Sequence, residues 1–397
     1  MANSHESHEQ TVSKMSKPRK LLYSMVPVLA LLLLIEGGAR LVELRLPERP
    51  IDLGRGFHPD TRHFMEAPDS GRLQRPNASG GDTTFAAEKP AKTYRIFALG
   101  GSSVAFLQEH LKRLEASLSE EYAGRFDRVE VINAGFWSYG SQRVLIVARE
   151  VLEYDPDLIL LYTGHNEFED LKQLEVYRMG PPPLLEALSH SAVFHLYWHH
   201  MRARKISVLE SERNRDILRR GPFPSPEEWE QAITPAVLED RMDAFENNLR
   251  LIADMCRQRG VPLIIGTVPS NHWEPSLADD GGFIFKQRLL PLREARKCEV
   301  FHRRVRELVA KSLRRQSSDV ENRIIRRVAE DCVLPVADVR QAVRAAEPHG
   351  IPGETLFDDP CHLNTAGNDL WIQTYRPLIH NHIRAVLARR AASGETG

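Results

Sequence analysis

The spacing of apolar positions changes along this chain, and the changes mark its parts. From Leu21 to Ile35 the apolar run is almost unbroken, interrupted by Tyr23, Ser24 and Pro27. Over residues 46–92, Pro, Gly, Asp, Arg and Ser predominate and no period survives. From Tyr94 onward, short runs rich in Ile, Val and Leu alternate with stretches whose apolar residues recur at helical spacing. Tyr94–Leu99 predicts a strand, and Phe106, Leu107, Leu111, Leu114 and Leu118 predict a helix reaching Tyr122. The cadence repeats with a strand over Val129–Asn133, a helix over Gln142–Leu152 and a strand over Asp157–Tyr162 closed by Gly164. Further on it predicts a helix over Pro235–Arg259, a strand over Val261–Val268, a charged helical tract over 284–330, a last strand over Val333–Ala337 and a closing helix from Ala366 to Ala392. Near-continuous apolar strands separated by helices specify a parallel sheet covered on both faces.

Residues 170–235 leave this rhythm with Pro181-Pro182-Pro183, the aromatic stretch Val193–Trp198 and a charged tract through Arg202–Arg220. They read as a helical insertion over the carboxyl edge of the sheet. No repeat period and no low-complexity segment appears.

The N-terminal run reads as membrane address. It follows the basic cluster Lys14, Lys17, Arg19 and Lys20, and Gly37, Gly38, Ala39, Leu41 and Val42 lengthen it beyond Glu36 toward the roughly 20 residues of a spanning helix. Arg40 can snorkel to the head groups. A cleaved signal peptide, an uncleaved anchor and a buried core helix compete; Glu36 and Arg40 interrupt any small-x-small cleavage site, which favours the anchor. The basic flank keeps the N-terminus cytoplasmic and places the remainder on the exoplasmic, periplasmic side. Met15 offers a second start, from which the charged lead is more compact. The expected organisation is a cytoplasmic tail over 1–20, a transmembrane signal anchor over 21–42, a stalk or linker over 43–92 that becomes a surface-hugging lead-in, and one α/β domain over 93–392 containing the insertion.

Composition narrows the function. Lys and Arg number 53 against 54 Asp and Glu, a formal net charge of -1. A nucleic-acid binder needs a cationic surplus to replace counterions, so that class is excluded. The 42% hydrophobic content supplies a core and excludes pervasive disorder. Cys256, Cys298, Cys332 and Cys361 lack C-x-x-C spacing, which argues against structural zinc and leaves disulfides and free thiols both open.

Candidate chemistry lies just after the predicted strands, where open α/β sheets place their sites. Gly100-Gly101-Ser102-Ser103 seats a hydroxyl between strand and helix, with helix-start N–H groups free for an oxyanion. The dinucleotide and Walker patterns are absent, and Val104 stands where a G-x-S-x-G elbow needs glycine. Asn133-Ala-Gly135-Phe-Trp-Ser138-Tyr-Gly140-Ser141 lets backbone N–H groups approach a carbonyl. Thr163-Gly164-His165-Asn166-Glu167 presents a neutral amide donor. Asp358-Asp359-Pro360-Cys361-His362 places a carboxylate three residues before an imidazole, a spacing that can hold Nδ1–H and leave Nε2 to take a proton. Asp358 is the alternate carboxylate, metal ligation is the rival use of the pair, and His165 is discounted as the base because a better-oriented histidine lies downstream.

Taken in order, these blocks resemble blocks I, II, III and V of the SGNH/GDSL hydrolase superfamily, over roughly residues 94–390. The resemblance implies a flavodoxin-like three-layer α/β/α sandwich with Ser102 as nucleophile, His362 as general base and acid, Asp359 as its orienting group, and no cofactor. The oxyanion hole would comprise the Ser102 N–H, a block II N–H from Ser138 or alternatively Gly140, and the Asn166 side chain. Gly101 and Glu167 depart from the family pattern, each replacing an Asp. The insertion and anchor resemble membrane-tethered bacterial members. The activity implied is a serine esterase or O-acyl, including O-acetyl, hydrolase acting on an ester or acylated glycan. The alternatives are an O-acetyltransferase for an envelope polysaccharide and a silent binding or scaffold protein on the same fold.

His195, His199 and His200, at i, i+4 spacing, read as an aromatic packing or lid face rather than a metal site. Val268–Trp273 is a candidate cleft wall, and the Arg-rich tract 302–327 a solvated face.

Overall fold

The computed structural model describes residues 17–45, 62–67, 71–75, 84–137, 139–167, 183–188, 190–197, 234–277, 280–312 and 319–392. The chain divides into two compact units, Met1–Ile51 with Pro181–Arg215, and Asp52–Gly180 with Asp216–Gly397.

In the first unit a helix runs over Lys17–Glu43. Its segment Met25–Glu43, with mean hydropathy 1.9 and no buried share, is long and apolar enough to cross a membrane, a property signal sequences share. The polar residues near its end have assigned partners. The Glu36 carboxylate accepts from Ser191 Oγ and the Ala192 N–H, each at 2.7 Å, and so satisfies an otherwise orphaned donor at the start of the helix over 192–197. Arg40 donates to the His190 carbonyl at 2.6 Å, and His195 pairs with Glu43. His195 therefore has an acidic partner that its local sequence does not show, supplied from far upstream in the chain. His199 and His200 lie outside the described residues.

The second unit is built on a five-stranded sheet. Its strands are β3 (Thr93–Gly100), β4 (Arg128–Asn133), β5 (Leu158–Tyr162), β6 (Leu263–Gly266) and β7 (Val336–Ala337), in the order β4-β3-β5-β6-β7. Every pairing is parallel. This is the flavodoxin-like order, with β4 at one edge beside β3 and the later strands added outward on the other side of β3. β1 (Met65–Glu66) and β2 (Leu73–Gln74) form a separate antiparallel pair.

All residues of β3 and β5 are buried, as strands covered on both faces require. A buried polar pair joins two of these strands. Arg95 in β3 lies opposite Glu130 in β4, bonds it at 2.8 Å, and gives another hydrogen to the Tyr154 carbonyl at 2.8 Å. The segment expected as stalk contributes to the same core: Phe64 and Phe85 pack edge-on against each other and against Phe97 and Tyr154. Burying two aromatic rings overrides the loop-like composition of 62–85.

The helix Pro235–Gln258 and the closing helix Thr365–Ala392 agree with the pattern to within a residue or two. The closing helix docks by Tyr375, whose hydroxyl donates to the Leu161 carbonyl at 2.9 Å. A Cβ on Gly266 would stand 2.0 Å from that hydroxyl, so only glycine fits there. The helix expected from Phe106 instead starts at Ser102, runs as a short turn to Ala105 and resumes over Gln108–Glu121. The last strand shrinks to two residues because Val333 takes a left-handed conformation (φ 56°) and Pro335 follows, offering no N–H. A helix over Val339–Ala346, unmarked in the apolar pattern, is capped by the Asp338 side chain.

Candidate active site

Four of the predicted site segments meet at the carboxyl end of the sheet. Ser102 is the first residue of the helix that leaves β3, and its side chain sits 2.6 Å from His362 Nε2. His362 Nδ1 lies 2.5 Å from Asp359 Oδ2. The other Asp359 oxygen accepts from the N–H groups of Cys361 and His362 at 2.8 and 2.7 Å. Burial alone would raise the Asp359 carboxyl, but the hydrogen bond and charge of His362 and these two N–H groups hold it down at about 2. A carboxylate at Asp359 requires the proton on Nδ1, which leaves the Nε2 lone pair facing Ser102. The alternate carboxylate, Asp358, is exposed, and its backbone N–H donates to the His362 carbonyl.

The loop carrying Asp359 and His362 is fixed from the segment after β6 that was expected as a cleft wall. Asn271, after β6, donates from Nδ2 to the Asp359 carbonyl at 3.1 Å and from its N–H to the Pro360 carbonyl at 3.0 Å. The only advance signal was its place past a strand end. In the same segment the backbone N–H groups of His272 and Trp273 donate to the Pro352 carbonyl, and the Trp273 ring packs edge-on with Phe301 against a secondary core.

Asn166 lies beside the Ser102 turn, with its amide donating to the Tyr139 carbonyl at 3.2 Å. A Cβ on Gly101 would come 2.3 Å from Asn166 Nδ2 and 2.8 Å from that carbonyl. This contact explains the glycine: any side chain at 101 would displace the amide. Gly140 caps the helix Ser141–Val151, so its N–H and that of Ser102 lie at helix starts, where no intrahelical acceptor exists. Ser138 lies outside the described residues.

Glu167, fully buried, bridges the second and third blocks. Its Oε1 accepts from the Ser141 N–H at 2.8 Å, and its Oε2 from Ser141 Oγ at 2.8 Å and Arg241 at 2.7 Å. Asn248 adds a hydrogen bond to Ser141 Oγ at 2.9 Å. Neither Arg241 nor Asn248 carried a readable motif, because both lie on a long helix whose period describes only its apolar face.

His165 takes a different part from His362. Its Nε2–H donates to the Pro269 carbonyl at 2.8 Å, so Nδ1 accepts from Ser103 Oγ at 3.1 Å. Burial pushes this imidazole down to about 4 and that of His63 down to about 3. Unfolded histidine titrates near 6.5. As pH falls through 6.5 the unfolded chain therefore binds protons that the folded chain refuses, and stability falls, at roughly 1.4 kcal/mol per pH unit for each imidazole. The window closes near 4 for His165 and near 3 for His63. Between pH 7 and 5 each should cost about 2 kcal/mol of unfolding free energy. Urea unfolding at the two pH values checks this, and His165→Gln should remove one share of the slope; an unchanged slope would acquit His165.

All four cysteines are outside any disulfide.

No family model matches the chain, and no curated protein does. Among solved structures it is similar to a GDSL-like lipase from Bacteroides thetaiotaomicron, at 13% identity over 74% of this chain and 91% of that one, with a TM-score of 0.36. It is also similar to an acetyl xylan esterase, AlAXEase (14%, 72% and 99%, TM-score 0.39). A further similar structure is Axe2, an acetylxylan esterase from Geobacillus stearothermophilus (12%, 71% and 92%, TM-score 0.37).

Proposed function

We propose that the protein is a membrane-tethered serine hydrolase of carboxylic, including acetyl, esters. The observation that carries the reading is the unbroken chain Ser102 Oγ, His362 Nε2, His362 Nδ1, Asp359 Oδ2, with links of 2.6 and 2.5 Å. Ser102 Oγ attacks the ester carbonyl while His362 Nε2 takes its proton. The Ser102 and Gly140 N–H groups and the Asn166 amide receive the oxyanion. Collapse expels the alcohol, protonated from Nε2, and leaves an acyl-enzyme; water, deprotonated by the same nitrogen, then releases the acid. The even charge balance of the chain suits an uncharged ester, such as an acylated glycan, as substrate.

The test uses the full chain in detergent. It should hydrolyse p-nitrophenyl acetate and take up a fluorophosphonate at Ser102. Attachment at Ser103 instead would remove the assignment, since Ser103 faces a histidine with no carboxylate behind it.

The basic cluster before the apolar helix supports a cytoplasmic N-terminus and an exoplasmic hydrolase domain. A C-terminal alkaline phosphatase fusion should accordingly be active in a bacterial host; an inactive fusion with an active cytoplasmic reporter would reverse the topology.

A further inference from the structure

Behind the triad, Cys361 is 1% exposed, and its Sγ lies 3.6 Å from His362 Nδ1 and 3.9 Å from Nε2. Ester hydrolysis makes no use of this thiol. Together Asp359, Cys361 and His362 offer a carboxylate oxygen, a sulfur and an imidazole nitrogen, all within 4.8 Å of one another. Among the described residues this is the one such group of potential metal ligands.

We propose that these three residues form an inhibitory binding site for a thiophilic divalent cation, with Zn²⁺ as the type case. The site itself stands on the donor geometry, and its inhibitory effect rests on the ester-hydrolase reading. The spacing fits the chemistry. A tetrahedral zinc at ~2.3 Å from sulfur and ~2.0–2.1 Å from nitrogen holds those donors about 3.6 Å apart. The Sγ–Nδ1 separation already has that value, but Sγ also lies 3.9 Å from Nε2, on the Cε1 side of the ring, so binding needs the Cys361 side chain to swing toward the Nδ1 lone pair while Asp359 draws back from hydrogen-bonding distance. The backbone of the loop that carries the donors is also braced. Phe357 pairs with Leu363 across the loop, the Asp358 N–H donates to the His362 carbonyl, and Asn271 holds the carbonyls of Asp359 and Pro360. Partial exposure of the His362 and Asp359 side chains, 16% and 23%, leaves a path for the ion and room for water in a fourth position.

The consequence for catalysis follows from proton accounting. Binding breaks the S–H bond of Cys361 and releases that proton to water, giving a thiolate ligand. The metal takes the Nδ1 lone pair, so the single proton of neutral His362 relocates from Nδ1 to Nε2. No carbon bond changes and nothing is oxidised. With hydrogen on Nε2, His362 can donate to Ser102 Oγ but cannot accept its proton, and Asp359 has changed from orienting group to ligand. Catalysis stops while the fold is retained, and a chelator restores it.

The experiment titrates chelator-treated full-length protein in detergent with Co²⁺, then displaces it with Zn²⁺. The expected result is one equivalent of cobalt, with tetrahedral d–d bands and a near-ultraviolet thiolate-to-cobalt charge-transfer band that zinc abolishes. Cys361→Ala and Cys361→Ser should lack that band. In the activity arm, Zn²⁺ should suppress p-nitrophenyl acetate hydrolysis reversibly in the wild type. Measured against its own metal-free rate, either variant should need at least about tenfold more zinc for the same fractional suppression. A missing charge-transfer band in the wild type, or one that persists in Cys361→Ala, overturns the site. Equal zinc sensitivity of wild type and variants overturns the role of the thiol. A cobalt band in a protein without esterase activity supports the site and removes the ester reading instead.

Discussion

Ser102→Ala is expected to lower kcat for p-nitrophenyl acetate by roughly four orders of magnitude and to abolish fluorophosphonate labelling, with little change in stability. In the proposed mechanism this hydroxyl is the bond-forming atom, and it lies 2.6 Å from His362 Nε2. His362→Ala should cost a similar factor, and the double variant hardly more, because the two groups act as a unit. Asp359→Asn should approach the same loss by favouring the wrong imidazole tautomer. Ser103→Ala is the informative control. Its hydroxyl is bound to His165, whose other nitrogen is already committed to the Pro269 carbonyl, so its removal should leave most of the activity. Steady-state kinetics on the purified variants decides the matter. Equal losses for Ser102→Ala and Ser103→Ala would mean that the turn, not the nucleophile, had been damaged. Transfer of acetyl to a sugar acceptor, lost in Ser102→Ala while hydrolysis stays weak, would replace the hydrolase by the transferase.

The largest effect on stability should come from Arg241→Met. Glu167 is 0% and Arg241 2% exposed, so removing the guanidinium leaves a carboxylate in the core with only Ser141 to answer it. Breaking a buried pair from one side typically costs about 3–5 kcal/mol, which for a domain of this size lowers Tm on the order of 10 °C. The combination Glu167→Leu with Arg241→Met removes both charges and should recover much of the loss, since a buried pair and an apolar replacement are often close in energy. Calorimetry on the two variants checks the expectation, and an Arg241→Met protein that melts with the wild type would show the pair to be dispensable. Activity should fall too in Arg241→Met, because Glu167 ties the start of the Ser141–Val151 helix to the strand end that carries Asn166.

Legibility in the sequence followed from how local each signal is. The runs around Ile96, Val131, Leu160 and Ile264 announced strands because a sheet covered on both faces demands apolar residues at consecutive positions. Asp359 and His362 could be paired by eye because three residues separate them and the bond is made within one loop. The β7 strand was overestimated because apolar content alone does not reveal that Val333 turns left-handed. The helix start at Ser102 was placed too late because the short turn before Phe106 has no period to read. Phe64 and Phe85 were hidden in a Pro- and Gly-rich stretch, where composition outvotes two rings that the core nevertheless takes in.

By itself, the sequence determined the order of strands and helices, the apolar N-terminal helix, and the identity of the side chains at the carboxyl end of the sheet, since each depends on neighbours within a few residues. Only the tertiary structure decided the rest. Ser102 meets His362 across 260 positions, Asn271 braces the loop of Asp359, and Arg241 answers Glu167. Such contacts depend on where the folded backbone brings distant segments together, and residue spacing along the chain carries no record of that.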